Sequence, residues 1–355
     1  MNFRQNDIIF LLGAGASVEA GVPTSFRMME EVELLLQKDD EWKGYKKLYD
    51  FVKSSIYYGD GINGLFDNNV NYNIERLVST LSELERKENH IIFPFILGWK
   101  PILVERAGIN FEGISQLKRK IVGRLKEKWI LLGNYDKADY YKKFIDFKEE
   151  YQYPLRVFSL NYDLCFERAC NQATIERGFD NERLLDVKRF EDDEDVLVDF
   201  FLYKIHGSID WIKNDYGLLT YSDEAGNISI NELEIIFGTN YKLQYLDPYL
   251  FSIYEFRKYC LKAKLIVVIG YSFGDEHVNG IIGQALGQDK EKKILSVGGS
   301  GIDSEQRKIE IAQKIKLSVE QVEVSPFRAR EFLENKLCIN YLKSFFVSQE
   351  SVFDD

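Results

Sequence analysis

Ile8-Ile9-Phe10-Leu11-Leu12-Gly13-Ala14-Gly15-Ala16-Ser17 sets five consecutive apolar residues directly against a Gly-x-Gly turn. An apolar run that short, closed by glycine, reads as a strand buried on both faces of a parallel sheet. The turn then leads into a helix. Glycine at 13 and 15 lets backbone N–H groups approach a diphosphate, and the N-terminus of the following helix adds a positive dipole. The plainer alternative is a tight strand-to-helix turn that binds nothing. The Gly-x-Gly-x-x-Gly fingerprint of hydride-transfer enzymes is not met, because Val18 stands where the third glycine is needed. Farther on, Met28–Leu34 has a helical pattern where a second strand ending in a ribose-binding acid should come.

Similar short runs recur at Leu155–Leu160, Phe200–Ile205, Leu233–Phe237, Leu265–Ile269 and Ile294–Val297, separated by helical patterns. Together they predict an α/β fold, a Rossmann-like open parallel sheet. Between the first two runs the chain reads as helical. Ile74, Leu77, Val78, Leu81 and Leu84 keep one helical face behind Asn73 as N-cap, and further helices are expected over Ser115–Leu131 and Lys137–Tyr151. Ser304–Lys316 and Phe327–Phe346 read as closing helices. The acidic run Glu191–Asp195 reads as a solvated loop.

With 355 residues the chain has room for about two domains or one large α/β unit. Its 46 Lys+Arg against 57 Asp+Glu leave a net charge of −11, which argues against direct binding to nucleic acid or an anionic membrane. No apolar run approaches the ~20 residues that span a bilayer, and a cytoplasmic location is the expectation. The four cysteines form no C-x-x-C pair and only three histidines are present, so no metal site is expected.

Five elements, each at the end of an expected strand, resemble the sirtuins. Gly13-Ala14-Gly15-Ala16-Ser17 followed by Gly21-Val22-Pro23-Thr24-Ser25-Phe26-Arg27 is similar to the sirtuin opening. Ser159-Leu160-Asn161-Tyr162-Asp163 resembles Thr-Gln-Asn-x-Asp, and Lys204-Ile205-His206-Gly207-Ser208 the strand ending in His-Gly. Phe237-Gly238-Thr239 takes the place of Phe-Gly-Glu, and Gly270-Tyr271-Ser272 that of Gly-Thr-Ser. The resemblance runs over about residues 8–300. It implies a sirtuin-like catalytic unit over 1–300, with a helical module inserted at about 28–150 and a C-terminal helical extension over 301–355.

The sequence also departs from that family. One extra residue separates Pro23 from Phe26, no Asp precedes Phe26, and residues 207–236 hold no cysteine where protein-deacylating sirtuins carry two pairs. Thr239 replaces Glu, and Tyr241–Pro248 fills a place that helps shape the acyl-lysine groove. Gly270-Tyr271-Ser272-Phe273-Gly274-Asp275-Glu276-His277-Val278-Asn279 and Asn73-Ile74-Glu75 look instead like the sirtuin-like NADase effectors of bacterial antiphage defence.

The resemblance implies NAD+ as substrate. Gly13, Ala14, Gly15 and Ser17 would hold its diphosphate, with Arg27 a further contact. Gly270, Ser272 and Asp275 would meet the rest of the nucleotide. Asn161 would position ribose hydroxyls and water, and Asp163 the nicotinamide carboxamide; as an alternative, Asn161-Tyr162-Asp163 caps the next helix. His206 is the candidate base, since an imidazole titrates near ~6.5. His277 stands between a role in the capped helix start and contact with the adenosine half, and His90 is not expected to do chemistry. The resemblance thus implies an NAD+ glycohydrolase acting in abortive infection as the expected function. A protein deacylase or ADP-ribosyltransferase, and a non-enzymatic nucleotide-binding scaffold, are the alternatives. With no sensor domain expected after Val297, control is expected from homo-oligomer assembly or a partner, a HerA-type hexameric ATPase being one candidate.

Overall fold

The computed structural model describes residues 2–64, 72–85, 100–191, 197–230, 232–233, 235, 247–298 and 303–346. A seven-stranded, all-parallel sheet forms its centre, flanked by helices on both faces. In chain order the strands are β1 (Ile8–Leu12), β2 (Leu155–Ser159), β3 (Ile175–Glu176), β4 (Phe200–Lys204), β7 (Leu265–Ile269), β8 (Lys293–Val297) and β9 (Val322–Ser325). A separate antiparallel hairpin joins β5 (Trp211–Lys213) to β6 (Leu219–Tyr221). The spatial order is β3-β4-β2-β1-β7-β8-β9. From β1 the chain builds outward on one side, then crosses over to build on the other. The loops that follow β1 and its neighbours therefore diverge at the carboxyl edge, where open α/β sheets place their ligand crevice.

The first five residues read as strand are strand, and all five are buried. Pleating sends Ile8, Phe10 and Leu12 to one face and Ile9 and Leu11 to the other. On the first face Phe10 meets Phe144 and Phe147 edge-on, with ring centroids 4.9 and 5.6 Å apart. The second face is covered by the helices Tyr249–Lys262, Glu276–Leu286 and Ser304–Ile315. Burial on both faces is why β1 and β7, at the centre of the sheet, are continuous apolar runs with no alternation.

The helical module has its own core. Met28, Met29, Val32, Leu48, Val52, Leu77, Leu81, Leu117 and Trp129 pack together, away from the sheet. Asn73 caps the helix Ile74–Glu85 by accepting the Arg76 N–H at 2.8 Å. The same core takes in Tyr162, Leu164, Ile209, Ala225 and Ile228 from later in the chain. Residues 136–151 instead supply Tyr140, Tyr141, Phe144 and Phe147 to the sheet's flank, because their aromatic stripe has Phe10 to cover. The expected helix Ser115–Leu131 starts earlier, at Glu112, and its last turn, Leu125–Ile130, is π-helical.

The closing segment is not wholly helical. Val322–Ser325 pairs parallel with β8 as the edge strand β9, and two short helices, Ala329–Asn335 and Ile339–Ser344, stand where one was expected. Of the strand expected at Leu233–Phe237, Ile235 makes an isolated bridge to Gly207, and Phe237 lies outside the described residues. Thr239, His90 and the core of the acidic run also lie outside them. Among the described residues, no helix is long and apolar enough to cross a membrane.

Candidate functional site

Four motifs follow four adjacent strands at one edge of the sheet. His206 follows β4, Asn161 follows β2, the glycine turn follows β1, and Gly270 follows β7. The glycine turn continues as a 3-10 helix, Ala14–Ala20, stopped by Gly21 at φ +111°. Its tightness has a specific cause. The Gly13 N–H donates to the Ile269 carbonyl at 2.9 Å, and the Gly15 N–H to the Gly270 carbonyl at 2.8 Å. A Cβ on Gly13 would fall 2.7 Å from that Gly270 oxygen. The loops after β1 and β7 are thus in backbone contact, and glycine is needed on both sides of it. Both amides expected to face phosphate are engaged by backbone carbonyls here. Ala14 is the exposed member of the turn and Gly15 is half-buried.

Asn161 ties the end of β2 to this turn. Its Nδ2 donates to the Gly13 carbonyl at 2.9 Å and to the Ser17 Oγ at 3.3 Å, while its backbone N–H donates to the Ser159 Oγ at 3.1 Å. Ser17 is fully buried, its hydroxyl also 3.1 Å from the Tyr141 hydroxyl. It therefore acts from beneath the turn, on Asn161. Burial pushes the Tyr141 phenol well above its ordinary range, so it stays neutral. Asp163 Oδ1 accepts the Cys165 N–H at 2.9 Å just before the helix Cys165–Ala169, whose N-cap position is Leu164.

His206 is buried, with Nε2 3.3 Å from Asp275 Oδ2 and Nδ1 without a partner. Asp275 is the N-cap of the helix Glu276–Leu286, its Oδ1 accepting the N–H groups of His277 and Val278. Around the pair stand Tyr162, its ring centroid 6.3 Å from that of His206, and Tyr271, bonded to the Asp275 backbone. Burial, with the negative charges of Glu75 and Asp275 nearby, pushes the Tyr162 phenol well up, and Tyr271 is raised for the same reasons. Tyr162 beside the histidine, and Tyr271 and Asn279 around Asp275, are residues that the reading of individual motifs does not assign. A signal was present: Tyr271 and Asn279 sit four residues either side of Asp275. Arg27, Ser272 and His277 are exposed and lie outside this buried cluster. Arg27 is held through its backbone N–H, which donates to Thr24 Oγ1 at 3.3 Å.

Behind His206 lies a second buried group of charges. Lys204 stands 3.3 Å from Glu167, and the Arg177 guanidinium donates to Asp210 at 2.7 Å. Burial opposes the charge on Arg177, but Asp210 and Glu167 outweigh it and hold its pKa above the ordinary value. Asp210 leads into the β5–β6 hairpin, which this pair fastens to the end of β3. The cysteines at 165, 170 and 260 are buried and free, and burial raises all three thiols. Among the described residues, no group of three or more His, Cys, Asp or Glu side chains could hold a metal ion.

The sheet order and the four edge motifs define a Rossmann-like α/β protein. Residues 155–318, from β2 into the closing segment, match the family model described as a SIR2-like domain. Solved structures similar to the chain include a Sir2 homologue in complex with NAD, with 12% identity over 95% of this chain and 90% of that one, at a TM-score of 0.45. A mutant Sir2 homologue with 2'-O-acetyl ADP-ribose has 12% identity over 96% and 94% at 0.45. A structure described as the basis for the mechanism and regulation of Sir2 enzymes has 13% over 96% and 93% at 0.42. No curated protein matches the chain.

Proposed function

We propose that the chain is an NAD+ glycohydrolase that converts NAD+ and water to nicotinamide, ADP-ribose and a proton. The observation that carries this reading is the row of motifs on four neighbouring strands, with a buried imidazole beside a carboxylate and Asn161 braced against the glycine turn. In the reaction the bond from ribose C1″ to nicotinamide breaks, a bond from C1″ to a water oxygen forms, and the water proton passes to His206. We assign the diphosphate to exposed Ala14 and half-buried Gly15, the accessible parts of the turn. The family match supports NAD+ as the nucleotide, and the cysteine-free hairpin, fastened by Arg177–Asp210, supports water as the acceptor. His206→Ala should lower turnover by at least about 10²-fold, the usual contribution of a positioned base. Chromatography of NAD+ incubated with each protein measures it. Turnover surviving in both His206→Ala and Asn161→Ala would end the assignment, and O-acetyl-ADP-ribose formed with an acetylated peptide would favour a deacylase.

The reading extends to a cytoplasmic effector of antiphage defence, held inactive until assembly with itself or with a HerA-type ATPase. Support comes from the Gly270–Asn279 motif and from apolar residues exposed on the module helix Lys46–Ile62, Tyr58 and Ile62 at 70% and 68%. Mass measurement of the chain, alone and with the ATPase, should show a homo-oligomer or a joint complex with raised turnover. A fully active monomer that ignores both would remove this part of the proposal.

A further inference from the structure

The segment Gly270–Asn279 is more tightly built than a helix cap requires. Gly270 at φ +68° and Phe273 at φ +57° turn it back on itself, and a left-handed Phe costs about 1–2 kcal/mol. The Tyr271 hydroxyl occupies the concavity. It accepts the Asp275 N–H at 3.0 Å and lies 3.1 Å from the Asp275 carbonyl oxygen and 3.0 Å from Asn279 Oδ1. Asn279 in turn donates Nδ2 to the Phe273 carbonyl at 3.0 Å. The Asp275 backbone is therefore fixed from both sides. Capping uses Oδ1 alone, and Ser, Thr or Asn would cap as well. What only the carboxylate supplies is a second acceptor oxygen, and Oδ2 is the one that faces His206 Nε2 at 3.3 Å.

We propose that Asp275 is a positioning residue whose Oδ2 accepts the Nε2–H of His206, holding the ring in the tautomer that leaves Nδ1 unprotonated. Nδ1, buried and without a partner, is then the atom that takes the proton in turnover. The source of that proton rests on the hydrolase reading above; the pairing of ring and carboxylate does not. Catalytic histidines in general need a fixed second nitrogen to present the first correctly. In this chain the Gly270–Asn279 segment is the device that fixes it.

The substitution Asp275→Asn tests the pairing sharply. The amide oxygen must remain on the two backbone N–H groups of the cap, so its NH2 turns to His206 and can only donate. Nε2 becomes an acceptor, and the proton moves to Nδ1. Two-dimensional 1H–15N spectra of ring-labelled histidine read this directly, because the chain has only three histidines and His206→Ala assigns the signal. We expect one tautomer in the wild type and the opposite one in Asp275→Asn. In turnover, kcat should fall by about 10²-fold or more with KM changed by less than about twofold. Asp275→Ser, which keeps the cap without the second oxygen, serves if the Asn variant does not fold, and should release the ring to a mixture of tautomers. The same tautomer in wild type and variant, or an effect confined to KM, would overturn the proposal. Inverted tautomers in a protein that leaves NAD+ intact would defeat the hydrolase reading alone.

Discussion

Gly270→Ala should cost about 4 kcal/mol or more, placing it among the most damaging single changes available to this chain. Two effects add. Gly270 has φ +68°, a conformation that costs an L-residue about 1–2 kcal/mol. The new Cβ would also lie 2.0 Å from the Ala16 nitrogen and 2.6 Å from the Gly15 Cα, and both are backbone atoms that cannot swing aside. Relief requires the β1 and β7 loops to part, which breaks the Gly15 N–H bond to the Gly270 carbonyl and removes the contact on which the turn is built. Two controls separate this from a general sensitivity of glycines. Gly274→Ala places its Cβ 3.4 Å from a movable Ser272 hydroxyl, and Gly280→Ala meets nothing within 4 Å in the middle of a helix. The first should be close to neutral, and the second stabilising by roughly 0.5–1 kcal/mol. Denaturant unfolding of the three variants measures all of this. Gly270→Ala as stable as Gly274→Ala would mean the loops do not meet as described.

Asp210→Ala should cost about 3–5 kcal/mol, because it leaves the buried Arg177 guanidinium without its hydrogen-bonded carboxylate, Glu167 being already paired with Lys204. Arg177 is held between Asp210 and the aromatic faces of Phe179 and Tyr221, and cannot easily reach water. The loss should appear as a lower denaturant midpoint and as protease cleavage near the β5–β6 hairpin. Replacing both members by apolar residues, Arg177→Met with Asp210→Leu, should recover most of the stability, since the cost lies in the unpaired charge. Equal damage in the single and the double variant would show that the pair's charges are not what holds the hairpin.

The architecture was legible where burial on both faces made a strand a plain apolar run. β1 and β7 have the bounds the sequence implies, and β2, β4 and β8 differ by one residue at an end. β3 has two residues, β5 and β6 three each, and β9 is a four-residue edge strand, too short for a periodic signal. The helix Ile74–Glu85 was legible from the Ile74–Leu84 stripe. Periodicity in Lys137–Tyr151 cannot say whether its apolar face covers another helix or the sheet.

In the site, the residue types were legible and their partners were not. Glycine at 13 and 15 announced a close approach; that it is to Gly270 is visible only once β1 and β7 are neighbours. The cap at Asp275 could be read locally, whereas its contact with His206 depends on sheet order. Asp163 lies two residues before the helix Cys165–Ala169, a place where a short polar side chain serves the local backbone or a ligand equally well, and Asn-x-Asp alone does not separate the two.

The most direct measurement of the central claim is product analysis of NAD+ incubated with the assembled protein in 18O-labelled water. Nicotinamide and ADP-ribose should appear in equal amounts, with one labelled oxygen on ribose C1″, and both should vanish in His206→Ala. NAD+ left intact by wild-type protein that nonetheless binds ADP-ribose, or nicotinamide released without labelled ADP-ribose, would contradict the account.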